Sequence, residues 1–356
     1  MNPPLGTLLQ TKKIVIIVGS GGVGKTTTAA AIAMQAALLG KKTLVLTIDP
    51  AKRLATTLGI HRFTHRPKKV VIEKDIQMSA MMLDTKETFD DLIQKYAPSP
   101  EVAQKILSNR IYQFLSMLMA GTQEYMALEK LYELHESDDY DMIVLDTPPA
   151  KHALSFLEAP DRLAHFLDEN ILKWFLKPYL KAGTFSLKMI TSGGHLVFKL
   201  IEMLTGLHVL YELSEFLLNL QSLYGGFRER TLKAQEILKS TQTTFLVVTN
   251  PERAVFEQAL QLHKRLSQLQ VSLGGLLINR VMPHHEWAFQ ERQLIEKLPF
   301  FSTLDAYQKL AEREKEQIQK MRHSIGKTLP LYEIPFFEED IHDIKGLKLM
   351  NHYLFP

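Results

Sequence analysis

Five short runs of consecutive apolar residues, rich in β-branched side chains, stand out along the chain and are separated by stretches with helical spacing. The runs are Ile14–Val18, Leu44–Ile48, Met142–Leu145, Thr244–Val248 and Leu276–Ile278. Continuous apolar runs are typical of strands that are buried on both faces, as in parallel sheets covered by helices. The alternation of strands and helices therefore predicts an α/β fold with a doubly wound, mostly parallel sheet.

Two long stretches interrupt this alternation with purely helical patterns. They cover about residues 86–136 and about residues 160–240, and neither contains a strand-like run. No Gly/Ser-rich or Pro-rich linker separates them from the rest of the sequence. We therefore expect a single domain over residues 1–356, with the two stretches inserted as a helical cap.

The first predicted strand leads into a glycine-rich loop and then into an Ala-rich helix from Thr28 to Leu39. The loop has the phosphate-binding pattern G-x-x-x-x-G-K-[ST], in which successive backbone N–H groups and the helix N-terminus point at the phosphates. We predict that Lys25 reaches the β- and γ-phosphates and that the Thr26 hydroxyl binds Mg²⁺. The predicted nucleotide-binding residues of the loop are Gly19, Ser20, Gly21, Gly22, Val23, Gly24, Lys25, Thr26 and Thr27.

Two acidic residues follow predicted strands, at the sheet edge where ligands bind in folds of this class. Asp146 ends the third predicted strand and is expected to hold Mg²⁺ through water. Asp49 closes the second predicted strand, and two compatible roles remain open for it. It could cap a helix before Pro50, or it could orient the attacking water close to the Mg²⁺ ion. The predicted catalytic set is Asp49, Lys25 and Asp146, with ATP and Mg²⁺ as cofactors.

The composition narrows the range of functions further. The chain has no cysteine, which excludes disulfides, a thiolate nucleophile and thiolate sites for zinc, iron–sulfur clusters or arsenite. Its formal net charge is only +3, so we expect no nucleic-acid partner. The N-terminal sequence lacks the pattern of a secretory signal, and no uncharged apolar run reaches the roughly 18 residues of a membrane span. We expect a cytoplasmic protein, with peripheral association at a membrane left open.

Several of these segments together resemble the ArsA family of P-loop ATPases, which includes the factors that target tail-anchored membrane proteins. The segments are GSGGVGKTT, LTIDPAKRL, VLDTPPAKHALSFLEAPDRL, FLVVTNPE, LLINRV and IPFFEEDIHDIKGL. The resemblance covers most of the chain, is weakest between about residues 171 and 240, and is strongest with the bacterial branch of anion-transporting ATPases. It implies a P-loop NTPase fold and, through relatives that dimerise, a dimeric assembly.

The resemblance also implies roles for individual residues. Asp49 would be the residue of switch I that activates water, and Asp146 would be the Walker B carboxylate. Asn279, Pro335 and Phe336 would hold the adenine. From the residues alone, Asn279 could equally be a turn residue at the end of a strand.

Three departures from the family pattern bear on function. Many members carry a second lysine after the first glycine of the loop, which reaches across a dimer, whereas this chain has Ser20. The metalloid-pumping members bind arsenite through cysteines, which are absent here, so an arsenite-activated pump is not expected. The CxxC zinc clasp of some dimers is also missing, and the pair His284 and His285 could be plain surface instead. Candidates to replace the lysine charge are Lys52, Arg53 and Lys151, each of which could also be an ordinary solvated side chain.

The second insertion combines apolar bulk with one sign of charge. Between Ile171 and Ile201 there are five lysines and no acidic residue, among many aromatic and leucine side chains. Two interpretations remain open: the helices pack on each other with the lysines in water, or they form a groove for a hydrophobic segment or rest on a membrane. The lysines are Lys173, Lys177, Lys181, Lys188 and Lys199.

Taken together, the sequence predicts an Mg²⁺-dependent ATPase that works as a homodimer or as a dimer with a paralogue. ATP would close the dimer and hydrolysis would reopen it, which would control an apolar helical surface that binds a hydrophobic client protein. A first alternative is an ATPase subunit that energises a membrane anion transporter and has a membrane protein as its partner. A second alternative, suggested by Ser20, is a nucleotide-dependent switch that hydrolyses ATP slowly.

Overall fold

The computed structural model describes residues 5–49, 53–60, 65–113, 123–149, 223–285, 299–326 and 329–356, together with Phe216, Asn219 and Ile295. The chain divides into two compact units. The first unit takes Met1–Leu83, Glu133–Ser155 and Glu236–Pro356, and the second takes Asp84–Tyr132 and Phe156–Gln235. A single domain over residues 1–356 stays a prediction.

The first unit is built on a sheet of eight strands within the described ranges. The strands are β1 Ile14–Gly19, β2 Thr43–Thr47, β3 Lys68–Glu73, β4 Ile76–Met82, β5 Met142–Asp146, β6 Thr243–Thr249, β7 Leu273–Val281 and β8 Leu331–Pro335. Their order across the sheet is β3-β4-β2-β5-β1-β6-β7-β8. Only the β3–β4 pair is antiparallel, and every other neighbouring pair in this sheet is parallel. The predicted doubly wound, mostly parallel sheet is thereby confirmed.

The central strands correspond to the apolar runs of the sequence. Every residue of β1, β2, β5 and β6 is buried, as a strand covered by helices on both faces requires. In the register of this sheet Asp146 lies opposite Ile17 of β1 and opposite Thr47 of β2. The last residue of β5 is thus placed beside the ends of both neighbouring strands.

Three strands at the margins of the sheet were not predicted from the sequence. In β3, Val70 and Ile72 are buried whereas Val71 is exposed, so this strand is covered on one face only, and its apolar run is limited to three residues between Lys69 and Glu73. β4 carries methionines, and Met78 and Met81 fill the core. β8 is short and only partly buried because it lies at the opposite edge of the sheet.

Ten helices are described, in chain order. They are α1 Leu5–Thr11, α2 Lys25–Leu38, α3 Arg53–Thr57, α4 Thr85–Tyr96, α5 Pro100–Ser108, α6 Gln123–Glu136, α7 Tyr224–Lys239, α8 Arg253–Gln268, α9 Phe301–Ile325 and α10 Ile344–Leu354. None of them is long and apolar enough to cross a membrane.

Helix α2 packs between the sheet and the last helix of the chain. Its alanines, Ala29–Ala33, are fully buried, and their small side chains let the helix lie close to the strands. On its other side α10 buries Leu347, Met350 and Leu354 in the same core. The Asn351 amide Nδ2 donates to the carbonyl of Ala31 at 2.9 Å, so a buried polar bond also joins the two helices.

The described part of the second unit is helical, in agreement with the helical pattern of residues 86–136. Phe89 stacks on Tyr112 with a centroid distance of 5.7 Å and on Phe227 with one of 5.9 Å. These rings hold α4 and α7 together. The lysine-rich stretch Ile171–Ile201 lies outside the described residues, so both interpretations of it stay open.

The same unit contains a buried ion pair. The Arg230 guanidinium pairs with the carboxylate of Glu129 and donates to the Tyr96 hydroxyl. The guanidinium carbon lies 4.1 Å from the ring centroid of Tyr96 and 5.0 Å from that of Tyr132. Burial lowers the pKa of Arg230 to about 10. Breaking this pair would leave Glu129, whose side chain is only 2% exposed, without its counter-charge.

We expect Arg230→Met to lower the free energy of unfolding by about 3–5 kcal/mol, because it removes the positive charge that faces the buried Glu129 carboxylate. The double variant Arg230→Met/Glu129→Met should recover most of this loss, since neither charge remains. Urea unfolding followed by circular dichroism measures both effects. A double variant as unstable as Arg230→Met would show that the ion pair is not the source of the loss.

Candidate functional site

The phosphate loop lies between the end of β1 at Gly19 and the start of α2 at Lys25. Gly24 has φ +93°, and a Cβ atom there would lie 2.2 Å from Nδ2 of Asn279. A Cβ atom at Gly19 would lie 2.2 Å from the carbonyl oxygen of Val248. Both ends of the loop therefore require glycine, because a Cβ atom at either position would collide with a neighbouring residue. Gly24 also needs it for its left-handed backbone conformation.

Lys25 folds back over the loop that precedes it. Its Nζ donates to the carbonyl oxygen of Ser20 at 2.8 Å, and the residue is 8% exposed. Burial lowers the pKa of Lys25, while the charges of Asp146 and Asp49 act in the opposite direction. The ammonium group is thus desolvated and lies in the loop that would surround the phosphates.

Asp146 is held at the centre of the site by two hydroxyl groups. Thr26 at the start of α2 and Thr47 at the end of β2 each donate to Asp146 Oδ2 at 2.8 Å. Asp146 is fully buried, and burial raises its pKa to about 6 against the lowering effect of these two hydroxyls and Lys25. Its second oxygen, Oδ1, is buried and makes no hydrogen bond within the described structure.

This arrangement fits a bound Mg²⁺ ion. Magnesium takes oxygen ligands and keeps several waters, so a buried carboxylate next to a hydroxyl of the phosphate loop suits it. A buried carboxylate oxygen normally has a hydrogen-bond partner. A water bound to the metal ion would provide that partner for Oδ1. Thr26 and Asp146 are the residues that would face the ion.

Asp49 lies in the same group of residues. It is half-buried, directly after β2, and its backbone N–H donates to the Thr47 hydroxyl oxygen at 3.2 Å. Its charge acts on both Lys25 and Asp146. The structure therefore brings together the three residues predicted as catalytic. Thr47, which links two of them, was missed because a threonine within a predicted strand gives no signal of its own.

Asn279 contacts the loop directly. Its Nδ2 donates to the carbonyl oxygen of Val23 at 2.9 Å, and its Oδ1 accepts from the backbone N–H of Arg280 at 3.0 Å. Arg280 has φ +61°, and the pairing of β7 with β8 shifts its register between Ile278 and Val281, so the strand is irregular directly after Asn279. The amide thus supports the loop, and its predicted contact with adenine stays a prediction.

Pro335 and Phe336 lie at the end of β8, beside the end of β7. Phe336 is half-exposed, and its backbone N–H donates to the carbonyl oxygen of Val281 at 2.8 Å. A cleft of about 710 Å³ opens at the ends of these two strands. Pro335 and Val281 line it together with Tyr353 of α10. The adenine role of Pro335 and Phe336 also stays a prediction.

The loop after β5 lies next to the phosphate loop. The Thr147 hydroxyl donates to the carbonyl oxygen of Ile17 at 2.7 Å, and a Cβ atom at Gly21 would lie 3.9 Å from Pro149. Of the candidates to replace the missing lysine, Arg53 is exposed at the start of α3, and its charge acts on Lys25. The other two candidates, Lys52 and Lys151, lie outside the described residues.

The Ser20 side chain contacts helix α8. Its hydroxyl donates to Oε1 of Gln258 in α8 at 2.7 Å. Gln258 was not predicted, because nothing in the sequence connects a glutamine in a helix with a loop more than 200 residues earlier. Among the described residues, no group of three His, Asp or Glu side chains is placed to bind a metal ion. His284 and His285 therefore belong to no such group.

Comparison with known proteins agrees with this geometry. Residues 12–355 match the family described as anion-transporting ATPase, ArsA type. The chain belongs to the ArsA family of ATPases. It is therefore an ATP hydrolase with a P-loop NTPase fold.

Two individual relatives match over nearly the whole chain at low identity, and a third matches over less than half of it. The putative arsenical pump-driving ATPase 1 of Aquifex aeolicus is 22% identical over 96% of this chain and 78% of the relative. The ATPase ASNA1 homolog of Dictyostelium discoideum is 23% identical over 99% of this chain and 93% of the relative. The ATPase GET3 of Paracoccidioides lutzii is 31% identical, but over 45% of this chain and 47% of the relative.

We expect Gly24→Ala to lower the affinity for nucleotide at least about tenfold, because its methyl group would collide with Asn279 and displace the loop. Gly40→Ala is the matched control. Gly40 follows the other end of α2, has φ +85°, and offers open space to a methyl group. It should lose about 1 kcal/mol of stability from backbone strain and keep its affinity. Titration with a fluorescent ATP analogue checks both, and equal affinities in the two variants would contradict the assignment.

Proposed function

We propose that this ArsA-family ATPase hydrolyses ATP in the loop between β1 and α2, with Mg²⁺ held by Thr26 and, through water, by Asp146 and Asp49. The observation that carries the proposal is the Asp146 carboxylate. One of its oxygens accepts from Thr26 and Thr47 at 2.8 Å, and the other is buried and makes no hydrogen bond within the described structure. Such a group suits a hydrated divalent cation at the end of a phosphate loop.

Each residue of the site has a task in this reaction. Lys25 and the N–H groups of the loop bind the β- and γ-phosphates, aided by the N-terminus of α2. Asp49 orients the attacking water, and Asn279, Pro335 and Phe336 contact the adenine. Mg²⁺, when bound, neutralises charge on the β- and γ-phosphates. Catalysis then comes from positioning and from stabilisation of the developing charge.

Two substitutions separate binding from turnover. We expect Lys25→Ala to abolish nucleotide binding or turnover, because it removes the cation that the loop surrounds. Asp49→Asn should bind ATP as the unmodified protein does but lose turnover by about 10²-fold or more, since the amide cannot orient or polarise the water as the carboxylate does. Steady-state phosphate release and ATP binding measure the two effects. Unchanged turnover in Asp49→Asn would refute the role of this residue.

Thr47 offers a test of the Mg²⁺ site. We expect Thr47→Val to raise the Mg²⁺ concentration for half-maximal turnover about tenfold or more, because Asp146 loses one of the two hydroxyls that orient it. Thr43→Val is the matched control: Thr43 lies on the same strand, is equally buried, and donates to the carbonyl oxygen of Lys41. If both variants respond alike to Mg²⁺, Asp146 does not face the ion.

We further propose that the ATPase works as a homodimer or as a dimer with a paralogue and that its nucleotide state controls the binding of a hydrophobic client. Support comes from relatives named ASNA1 homolog and GET3, together with the apolar, lysine-rich composition of Ile171–Ile201. The family description favours the alternative of a subunit that energises a membrane anion transporter. The absence of cysteine argues against thiolate-bound arsenite as its cargo, although one relative is named an arsenical pump-driving ATPase.

A trap for the ATP-bound state distinguishes these alternatives. We expect tagged Asp49→Asn, purified from the native host with ATP present, to bring down proteins that have a single exposed hydrophobic segment. Lys25→Ala is the control, and mass spectrometry identifies what only the trap retains. A multi-spanning membrane protein alone would instead support the transporter subunit. A trap that retains no client, together with slow phosphate release, would support the nucleotide-dependent switch.

A further inference from the structure

Ser20 connects the phosphate loop with helix α8 through a single residue. Its side chain donates to Oε1 of Gln258 at 2.7 Å. Its backbone carbonyl accepts from Nζ of Lys25 at 2.8 Å. A side chain on α8 is therefore only one residue away from the ammonium group that faces the phosphates.

The backbone on both sides of this contact is held by the core, although the Gln258 side chain itself is exposed. Gly19, directly before Ser20, pairs with Val248 of β6, and their backbones are so close that a Cβ atom on Gly19 would not fit. Helix α8 begins shortly after β6 and is anchored by buried apolar residues on its inner face. The strand pair β1–β6 thus places the backbone of Ser20 beside the start of α8, within reach of Gln258. The buried residues of α8 are Phe256, Ala259, Leu262 and Leu266.

A glutamine is chemically suited to this position. Its amide oxygen accepts the Ser20 hydroxyl without adding a negative charge beside the phosphates. The opposite side of the loop is held in the same manner, since the Asn279 amide donates to the carbonyl oxygen of Val23 at 2.9 Å. Two uncharged amides, from the elements after β6 and at the end of β7, thus hold the loop from two sides.

We propose that Gln258 is a positioning residue for ATP hydrolysis, which fixes the Ser20 carbonyl and thereby aligns Lys25 with the phosphates. This inference rests on the proposed role of Lys25 in the site. Gln258 itself touches neither the substrate nor the metal. Removing its amide should therefore lower kcat/KM about fivefold, which corresponds to the roughly 1 kcal/mol that one uncharged hydrogen bond contributes.

The experiment is a double-mutant cycle on the full-length protein. Gln258→Met keeps the length of the side chain and removes the amide, and Ser20→Ala removes the hydroxyl. We expect each to lower kcat/KM for MgATP about fivefold and the double variant to be no worse, because both remove the same bond. Ser20→Thr, which keeps a hydroxyl, should retain more activity than Ser20→Ala.

The matched control is Gln261→Met, because Gln261 lies on the same helix and is exposed as Gln258 is. It should have the kcat/KM of the unmodified protein, and none of Gln258→Met, Ser20→Ala and Gln261→Met should shift the thermal midpoint. The inference is overturned if Gln258→Met behaves like Gln261→Met. It is equally overturned if the effects of Gln258→Met and Ser20→Ala multiply, or if Gln258→Met alone lowers the thermal midpoint.

Lys25→Ala distinguishes this failure from failure of the proposed site. If Lys25→Ala still hydrolyses ATP, the assignment of the phosphate loop is wrong and the role of Gln258 falls with it. If Lys25→Ala is inactive while Gln258→Met matches its control, the site stands and only the positioning role is lost.

Discussion

Asp146 places a fully buried carboxylate at the end of the central strand β5, and the neighbouring chain is arranged around that group. Its backbone lies opposite Ile17 and Thr47 in the register of the sheet, so the position of the carboxylate is set by the pairing of three strands. One oxygen takes two hydroxyl donors, while the other makes no hydrogen bond within the described structure. A buried carboxylate with an unpaired oxygen is costly, and its presence is explained when a ligand completes it.

The phosphate loop obeys a related constraint. Its backbone must curl closely past β6 and β7, which is why a Cβ atom fits at neither Gly19 nor Gly24. A loop of this kind has few side chains of its own to hold it, so its stability has to come from neighbours. Asn279 and Gln258 provide two such contacts, one to a carbonyl oxygen and one to a hydroxyl. The same two contacts leave the N–H groups of the loop available for phosphate.

The central strands and the phosphate loop could be predicted from the sequence because their signals are local. β1, β2, β5 and β6 are covered on both faces, so their sequences are apolar throughout, and the loop has a fixed spacing of Gly, Lys and Thr. β3 gives a weaker signal because its apolar run is only three residues long, is flanked by Lys69 and Glu73, and belongs to a strand with one exposed face. β8 is short and lies at an edge.

Contacts between segments that are distant in the chain could not be predicted from the sequence. Gln258 meets Ser20, and Thr47 meets Asp146, only through the order of the strands. Asn279 became a candidate through the family resemblance, but its partner in the loop could not be inferred from one sequence. In general, residue types that act alone are visible in a sequence, whereas those that act through a partner become visible when the topology is known.

The packing of α10 on α2 has a consequence for the order in which the protein matures on the ribosome. The helix that begins at Lys25 is made early, but the residues that cover it and bond to Ala31 belong to the last turns of the chain. Strand β6, which supports Gly19, is also made more than 200 residues after the loop. A nascent chain therefore carries the phosphate loop without its β6 neighbour until more than 200 further residues have been made. The face of α2 that α10 covers stays uncovered until α10 has been made as well.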